Sequence, residues 1–205
     1  PVFHALWCLG AQRKGMVISM NTANKLTMLR VVLIPVYLIL WHIDAAWSIY
    51  AALAVFVVAS LTDLLDGYIA RHYNQVTAFG KFMDPLADKV LVLTAMACFC
   101  SGGRFPDWAL VIVIAREFAV SGLRLVAVDN GRVIAAGWSG KVKTASTMVC
   151  LCLMHLVQQR PEGLYSAPDY LKYLDWVCVA VIAATTLYSG IEYFVLNRDV
   201  LNWKK

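Results

Sequence analysis

Charge is what this sequence has least of. Only 15% of its 205 residues are charged, against 60% hydrophobic, and the mean hydropathy is +0.65. A soluble domain carries about a quarter charged residues, so a water-soluble helical core of this length is excluded. The net charge of +5 comes without a basic stripe interleaved with aromatics, which argues against a nucleic-acid surface. The cysteines lack metal-ligand spacing. Cys98/Cys100 and Cys150/Cys152 lie inside apolar runs, with no Cys-x-x-Cys partner and no histidine cluster nearby. A structural zinc site needs about four converging ligands, so these thiols are expected to pack as small hydrophobes. His42, His72 and His155 stand alone and are expected in interfacial or loop positions. There is no internal repeat and no low-complexity linker, so one domain is expected.

What the sequence does have is long apolar runs, several of which approach or exceed the roughly 18 residues that span a bilayer. Six helices are predicted, at about Lys25 to Trp41, Trp47 to Arg71, Phe82 to Cys100, Trp108 to Val128, Trp138 to Val157 and Leu171 to Leu196. The breakers Ser101-Gly102-Gly103, Asp129-Asn130-Gly131 and Arg160-Pro161-Glu162-Gly163 separate several of them. The expected fold is all-α, a polytopic membrane protein with six transmembrane helices. Residues 1–19 match no later pattern and read as a vector-derived remnant or an N-terminal extension, leaving 20–205 as the membrane domain. Outside residues 1–19, twelve Lys and Arg fall on one side of these segments. Arg104, Arg160 and Lys172 fall on the other, and Arg116 lies deeper in the fourth helix. That asymmetry puts both termini in the cytoplasm.

Four aspartates interrupt the apolar pattern. Asp63 and Asp66 close the second run, and Asp84 and Asp88 open the third. On helices these are i,i+3 and i,i+4 neighbours. Like charges about 4 Å apart repel by roughly 4 kcal/mol at an effective dielectric near 20. A quartet of hard oxygen donors relieves that repulsion by binding divalent cations such as Mg²⁺ or Mn²⁺.

Asp63-x-x-Asp66-Gly67-x-x-Ala70-Arg71, followed by Gly80-x-x-x-Asp84-x-x-x-Asp88, resembles the signature of the CDP-alcohol phosphotransferases. Every signature position is present, and the six-helix layout also fits from about residue 20 onward. The resemblance implies a catalytic domain over 20–205 that binds two divalent cations, Mg²⁺ or Mn²⁺, through Asp63, Asp66, Asp84 and Asp88. It makes Asp88 the general base, and it implies that Arg30, Asp66, Gly67, Arg71 and Thr77 contact the CDP-activated donor, CDP-diacylglycerol. Pro85 is expected in the first turn of the third helix, where its missing N–H costs little. Two cations about 4 Å apart would bridge the oxygens of a pyrophosphate and stabilise charge developing on the leaving phosphate. By the same resemblance the protein is a homodimer in the bacterial cytoplasmic membrane, in contact with membrane lipid, with its active site facing the cytoplasm.

The acceptor is read from outside the signature. Arg116 and Glu117 interrupt an apolar helix, where an ionisable residue costs roughly 2.5–3.5 kcal/mol on insertion scales. Arg116 and Arg124 lie about 80° apart around that helix, and Lys141 and Lys143 open the next one. These four cations suit a phosphate on the acceptor. Ile114-Ala115-Arg116-Glu117-Phe118, Ser121-Gly122-Leu123-Arg124 and Gly140-Lys141-Val142-Lys143-Thr144 resemble the branch of the family whose acceptor is sn-glycerol 3-phosphate. Another transfer within the family is the alternative, such as cardiolipin synthesis or inositol-phosphate transfer. A cation transporter is a remote one, because the aspartates sit at helix ends and no inverted repeat is present.

Overall fold

A computed structural model describes residues 22–45, 47–72, 78–129, 131, 134, 137–157 and 169–198, and these form six helices with no strand among them. They are α1 (Thr22–His42), α2 (Ser48–His72), α3 (Ala78–Ser101), α4 (Asp107–Asp129), α5 (Trp138–Leu156) and α6 (Asp169–Leu196). Successive helices run antiparallel; on α5 and α6, for example, Trp138 lies near Glu192 and the Ser146 hydroxyl bonds Thr185. The end carrying the N-termini of α1, α3 and α5 therefore also carries the C-termini of α2, α4 and α6. The helices pack pairwise as α1 on α2 and α3, α5 on α2 and α6, and α4 on α3 and α6, with lighter contacts of α3 on α2 and α5.

Local chemistry sets the ends. After α3, Gly103 adopts φ 70°, and the amides of Gly102 and Arg104 fold back onto the carbonyls of Cys98 and Phe99 at 3.1 and 3.0 Å. A glycine in the left-handed region closes a helix this way without a Cβ penalty. Gly131 (φ 70°) does the same after α4, donating to Val128 at 2.9 Å. Ser48 ties down the α1–α2 turn by donating to the carbonyls of Ile43 and Ala45 at 2.7 and 2.8 Å. Helix α1 runs unbroken through Pro35. Helix α3 begins at Ala78, about a turn before the apolar run, so Pro85 lies inside the helix rather than in its first turn. There it removes one rung of the backbone ladder.

The core fills the end away from the aspartates. Tyr37, Trp41, Phe56 and Phe99 surround His155, which is fully buried rather than interfacial or in a loop. His155 Nδ1 lies 2.7 Å from the Leu151 carbonyl, which only accepts, so this nitrogen carries the hydrogen. The Nε2 lone pair then accepts the Tyr37 hydroxyl at 2.9 Å. Burial among aromatics is tolerable because both ring nitrogens are satisfied. Beside this cluster, Arg104 donates to both carboxylate oxygens of Asp175 at 2.8 and 2.6 Å and to the Met154 carbonyl at 2.8 Å. The five described cysteines are free thiols, and Cys98, Cys150 and Cys178 are buried. Alanines at fully buried positions (Ala52, Ala59, Ala95 and Ala109) let helix backbones approach closely.

The outer surface is apolar, with large exposed side chains such as Val32, Ile39, Val111, Phe118, Leu125 and Ile191. Among the described residues, Tyr173–Leu196 is the one stretch long and apolar enough to cross a membrane by that measure alone. Met28–His42, Ser48–Thr62 and Lys89–Ser101 are shorter apolar stretches.

Candidate functional site

The helical backbone places the signature residues at one end of the bundle. Asp63, Asp66, Gly67 and Arg71 lie in the last turns of α2, and Gly80, Asp84 and Asp88 lie in the first turns of α3, which packs against α2. Asp63 and Asp66 are thus one turn apart, as are Asp84 and Asp88. Thr77 and the side chains of Asp63, Asp66, Arg71, Asp84 and Asp88 lie outside the described residues. Among the described residues no group of three or more His, Cys, Asp or Glu could hold a metal. Arg30 is fully buried, with Nε donating to the Ala59 carbonyl at 3.3 Å, one turn before Asp63. The Thr62 hydroxyl donates to the same carbonyl at 2.7 Å.

A cluster of cations from three helices forms beside this end. Glu117 on α4 is its centre. One carboxylate oxygen, Oε1, accepts from Arg116 Nη1 at 2.9 Å and from Lys143 Nζ of α5 at 2.6 Å. The other, Oε2, lies 3.9 Å from Lys89 Nζ of α3, which also donates to the Ser121 hydroxyl. Arg116 Nη2 reaches across to the Ser189 hydroxyl of α6 at 2.5 Å. The side chains of Lys143, Arg116 and Glu117 are 6%, 13% and 15% exposed, so their charges are poorly screened. Sharing one oxygen holds the Arg116 and Lys143 donors within roughly 5.5 Å of each other, where two cations repel by about 3 kcal/mol at an effective dielectric near 20. The Glu117 carboxylate offsets that repulsion.

Two glycines make room for Arg116. A Cβ at Gly190 would stand 3.2 Å from Arg116 Cγ, and one at Gly140 would stand 3.7 Å from Nη2. Arg116 Nε is buried with no hydrogen-bond partner among the described residues. An unsatisfied guanidinium donor in a cationic cluster is suited to an anionic ligand.

The four expected acceptor residues divide. Arg116 and Lys143 meet on Glu117, whereas Arg124 and Lys141 are exposed. Lys141 Nζ lies 5.9 Å from the centre of the Trp138 ring, within cation–π reach. Between α5 and α6 a cavity of about 360 Å³ is lined by Trp138, Ser139, Val142, Ala184, Thr185, Tyr188 and Glu192. Sequence reading noticed Glu117 as a second charge beside Arg116 but missed Lys89, Ser189 and Gly190. The Arg116-Glu117 dipeptide was the one available signal, because a second charge in an apolar helix needs partners.

A sequence model of the family described as CDP-alcohol phosphatidyltransferase matches residues 20–188. A protein of Bacillus subtilis (strain 168), named CDP-diacylglycerol--glycerol-3-phosphate 3-phosphatidyltransferase, is 38% identical over 193 residues, covering 88% of this chain and 97% of its own. Proteins of the same name from Shigella flexneri serotype 5b (strain 8401) and Escherichia coli (strain K12) are each 35% identical over 189 residues, covering 89% of this chain and 98% of their own.

Proposed function

The chain belongs to the CDP-alcohol phosphatidyltransferase family, and we propose that it transfers the phosphatidyl group of CDP-diacylglycerol to sn-glycerol 3-phosphate, forming phosphatidylglycerophosphate and releasing CMP. The names of its relatives support this donor and acceptor. The observation that carries the acceptor is the buried meeting of Arg116 and Lys143 beside the aspartate-bearing helices. A phosphate on the acceptor is the group such cations would bind.

The acceptor hydroxyl attacks the phosphorus bonded to diacylglycerol in line with the departing CMP, and Asp88 takes the hydroxyl proton. Arg30, Asp66, Gly67, Arg71 and Thr77 hold the CDP group. Arg116 and Lys143 orient the acceptor phosphate, with Arg124 and Lys141 at its more exposed edge. Four carboxylates are hard oxygen donors fitted to Mg²⁺ or Mn²⁺. Asp63, Asp66, Asp84 and Asp88 would hold two such ions, and the chemistry these would supply is neutralisation of charge developing on the pyrophosphate.

The six helices span the bacterial cytoplasmic membrane, with residues 20–205 as one catalytic domain. Exposed apolar side chains around the bundle support that placement, since in water such a surface is a liability. The excess of Lys and Arg at the aspartate end supports a cytoplasmic active site. A homodimer is expected by family likeness. The deciding experiment measures CMP release from CDP-diacylglycerol, with and without glycerol 3-phosphate, with Mg²⁺ or Mn²⁺ and with a chelator. Release should need both acceptor and metal. Release indifferent to glycerol 3-phosphate overturns the acceptor, and release that survives chelation overturns the metal site.

A further inference from the structure

We propose that Glu117 is the positioning residue of the acceptor site, an internal counter-ion that holds Arg116 and Lys143 ready for a phosphate before one arrives; this rests on the acceptor reading above. The geometry is specific. A single oxygen of Glu117 takes both cations, at 2.9 and 2.6 Å, and the other faces Lys89 at 3.9 Å. Arg116 is the preceding residue on the same helix, Lys143 comes from α5 and Lys89 from α3, so one carboxylate ties together three helices. Among the described residues three cations meet one carboxylate here, an excess of positive charge that leaves capacity for an anion. The donors are not exhausted either. Among the described residues Arg116 Nε has no partner, and Lys143 Nζ makes one hydrogen bond where it could donate three.

Without an anion between them, Arg116 and Lys143 would part. The acceptor phosphate would then have to gather them at its own expense. With Glu117 in place the gathering is done during folding, and binding orders less. The far end of Arg116 is also fixed, by Ser189 and by the close approach of Gly190.

The test compares Glu117→Gln and Glu117→Asp with the wild-type enzyme in lipid nanodiscs, measuring KM for glycerol 3-phosphate and for CDP-diacylglycerol separately. Gln keeps the shape and removes the charge, and it should raise the acceptor KM about tenfold, equivalent to about 1.4 kcal/mol of binding. Its donor KM should stay within about twofold. Asp keeps the charge on a shorter arm and should fall between wild type and Gln for the acceptor alone. A merely space-filling role predicts the opposite order, with Gln near wild type and Asp impaired, and that result overturns the proposal. So does an acceptor KM that falls in Glu117→Gln, because the carboxylate would then be competing with phosphate for its seat. Equal increases in both KM values also overturn it. Should Glu117→Gln not fold, the acceptor-only effect of Glu117→Asp decides. Absence of glycerol 3-phosphate-dependent CMP release in the wild type is a separate outcome, which removes the acceptor reading itself.

Discussion

Asp175→Asn should loosen the end of the bundle away from the aspartates without touching the acceptor site. In the native protein Arg104 makes a two-pronged contact with Asp175, at 2.8 and 2.6 Å, and the two side chains are 20% and 13% exposed. Asparagine preserves the shape and one accepting oxygen but turns the other contact into an amide facing a guanidinium. Arg104 cannot simply swing away, because Nη1 remains bonded to the Met154 carbonyl at 2.8 Å and its guanidinium carbon lies 5.4 Å from the Phe99 ring centre. Removing one partner of a fully buried pair costs about 3–5 kcal/mol. Partial exposure and the retained hydrogen bond lower that to about 2–3 kcal/mol. For a chain of this size each kcal/mol moves the melting temperature by roughly 2–4 °C, so a fall of about 5–10 °C is expected. Thermal unfolding in detergent, followed by intrinsic fluorescence, reads this directly, with acceptor KM measured in parallel. A melting temperature within about 2 °C of wild type would refute the energetic argument. A raised acceptor KM at unchanged stability would refute the separation of the two ends.

Gly190→Ala should raise the acceptor KM several-fold, because its Cβ would stand 3.2 Å from Arg116 Cγ, whereas Gly140→Ala, at 3.7 Å, should change it little; steady-state kinetics with varied glycerol 3-phosphate distinguishes the two. Arg116→Ala and Lys143→Ala should raise the acceptor KM more than Arg124→Ala and Lys141→Ala, since the first two are gathered in the buried cluster and the latter are exposed. Equal effects across all four would count against that division. Tyr37→Phe leaves the His155 Nε2 lone pair buried without its 2.9 Å partner and should cost about 1–3 kcal/mol, read as a lower melting temperature at unchanged donor and acceptor KM.

The helices were legible because apolar runs and their breakers are local signals. Five of the six begin within three residues of the expected position, and Gly103 and Gly131 end α3 and α4 where the breakers predicted. Helix α3 is the exception: its first turn, Ala78 to Lys81, is not part of the apolar run that marked the helix. The signature placed Asp63, Asp66, Asp84 and Asp88 on adjoining helices, as the backbone has them. Partners distant in sequence were not legible. Nothing around His155 announces Tyr37, 118 residues away, and a lone histidine in an apolar helix reads the same whether buried or interfacial. Arg116 and Arg124 lie on neighbouring strips of α4, yet one is drawn inward by Glu117 and Ser189 while the other stays exposed. That difference depends on where α5 and α6 pass, which the periodicity of α4 does not contain.

Helix α3 carries Asp84 and Asp88, and at the very next position it carries Lys89, which reaches Glu117 and Ser121 on α4. Adjacent Cα atoms are about 3.8 Å apart, so the residue assigned to the proton and a residue of the acceptor's electrostatic cradle cannot drift independently. The connection over residues 102–106 allows α3 and α4 little slack at their other end, where Gly103 fixes the turn. The two helices therefore act as a gauge block: sliding one along the other would misplace the attacking hydroxyl and the phosphate that steers it by the same amount. An insertion of one residue into that connection should show up at the opposite end of the hairpin, as a change in which acceptors are used.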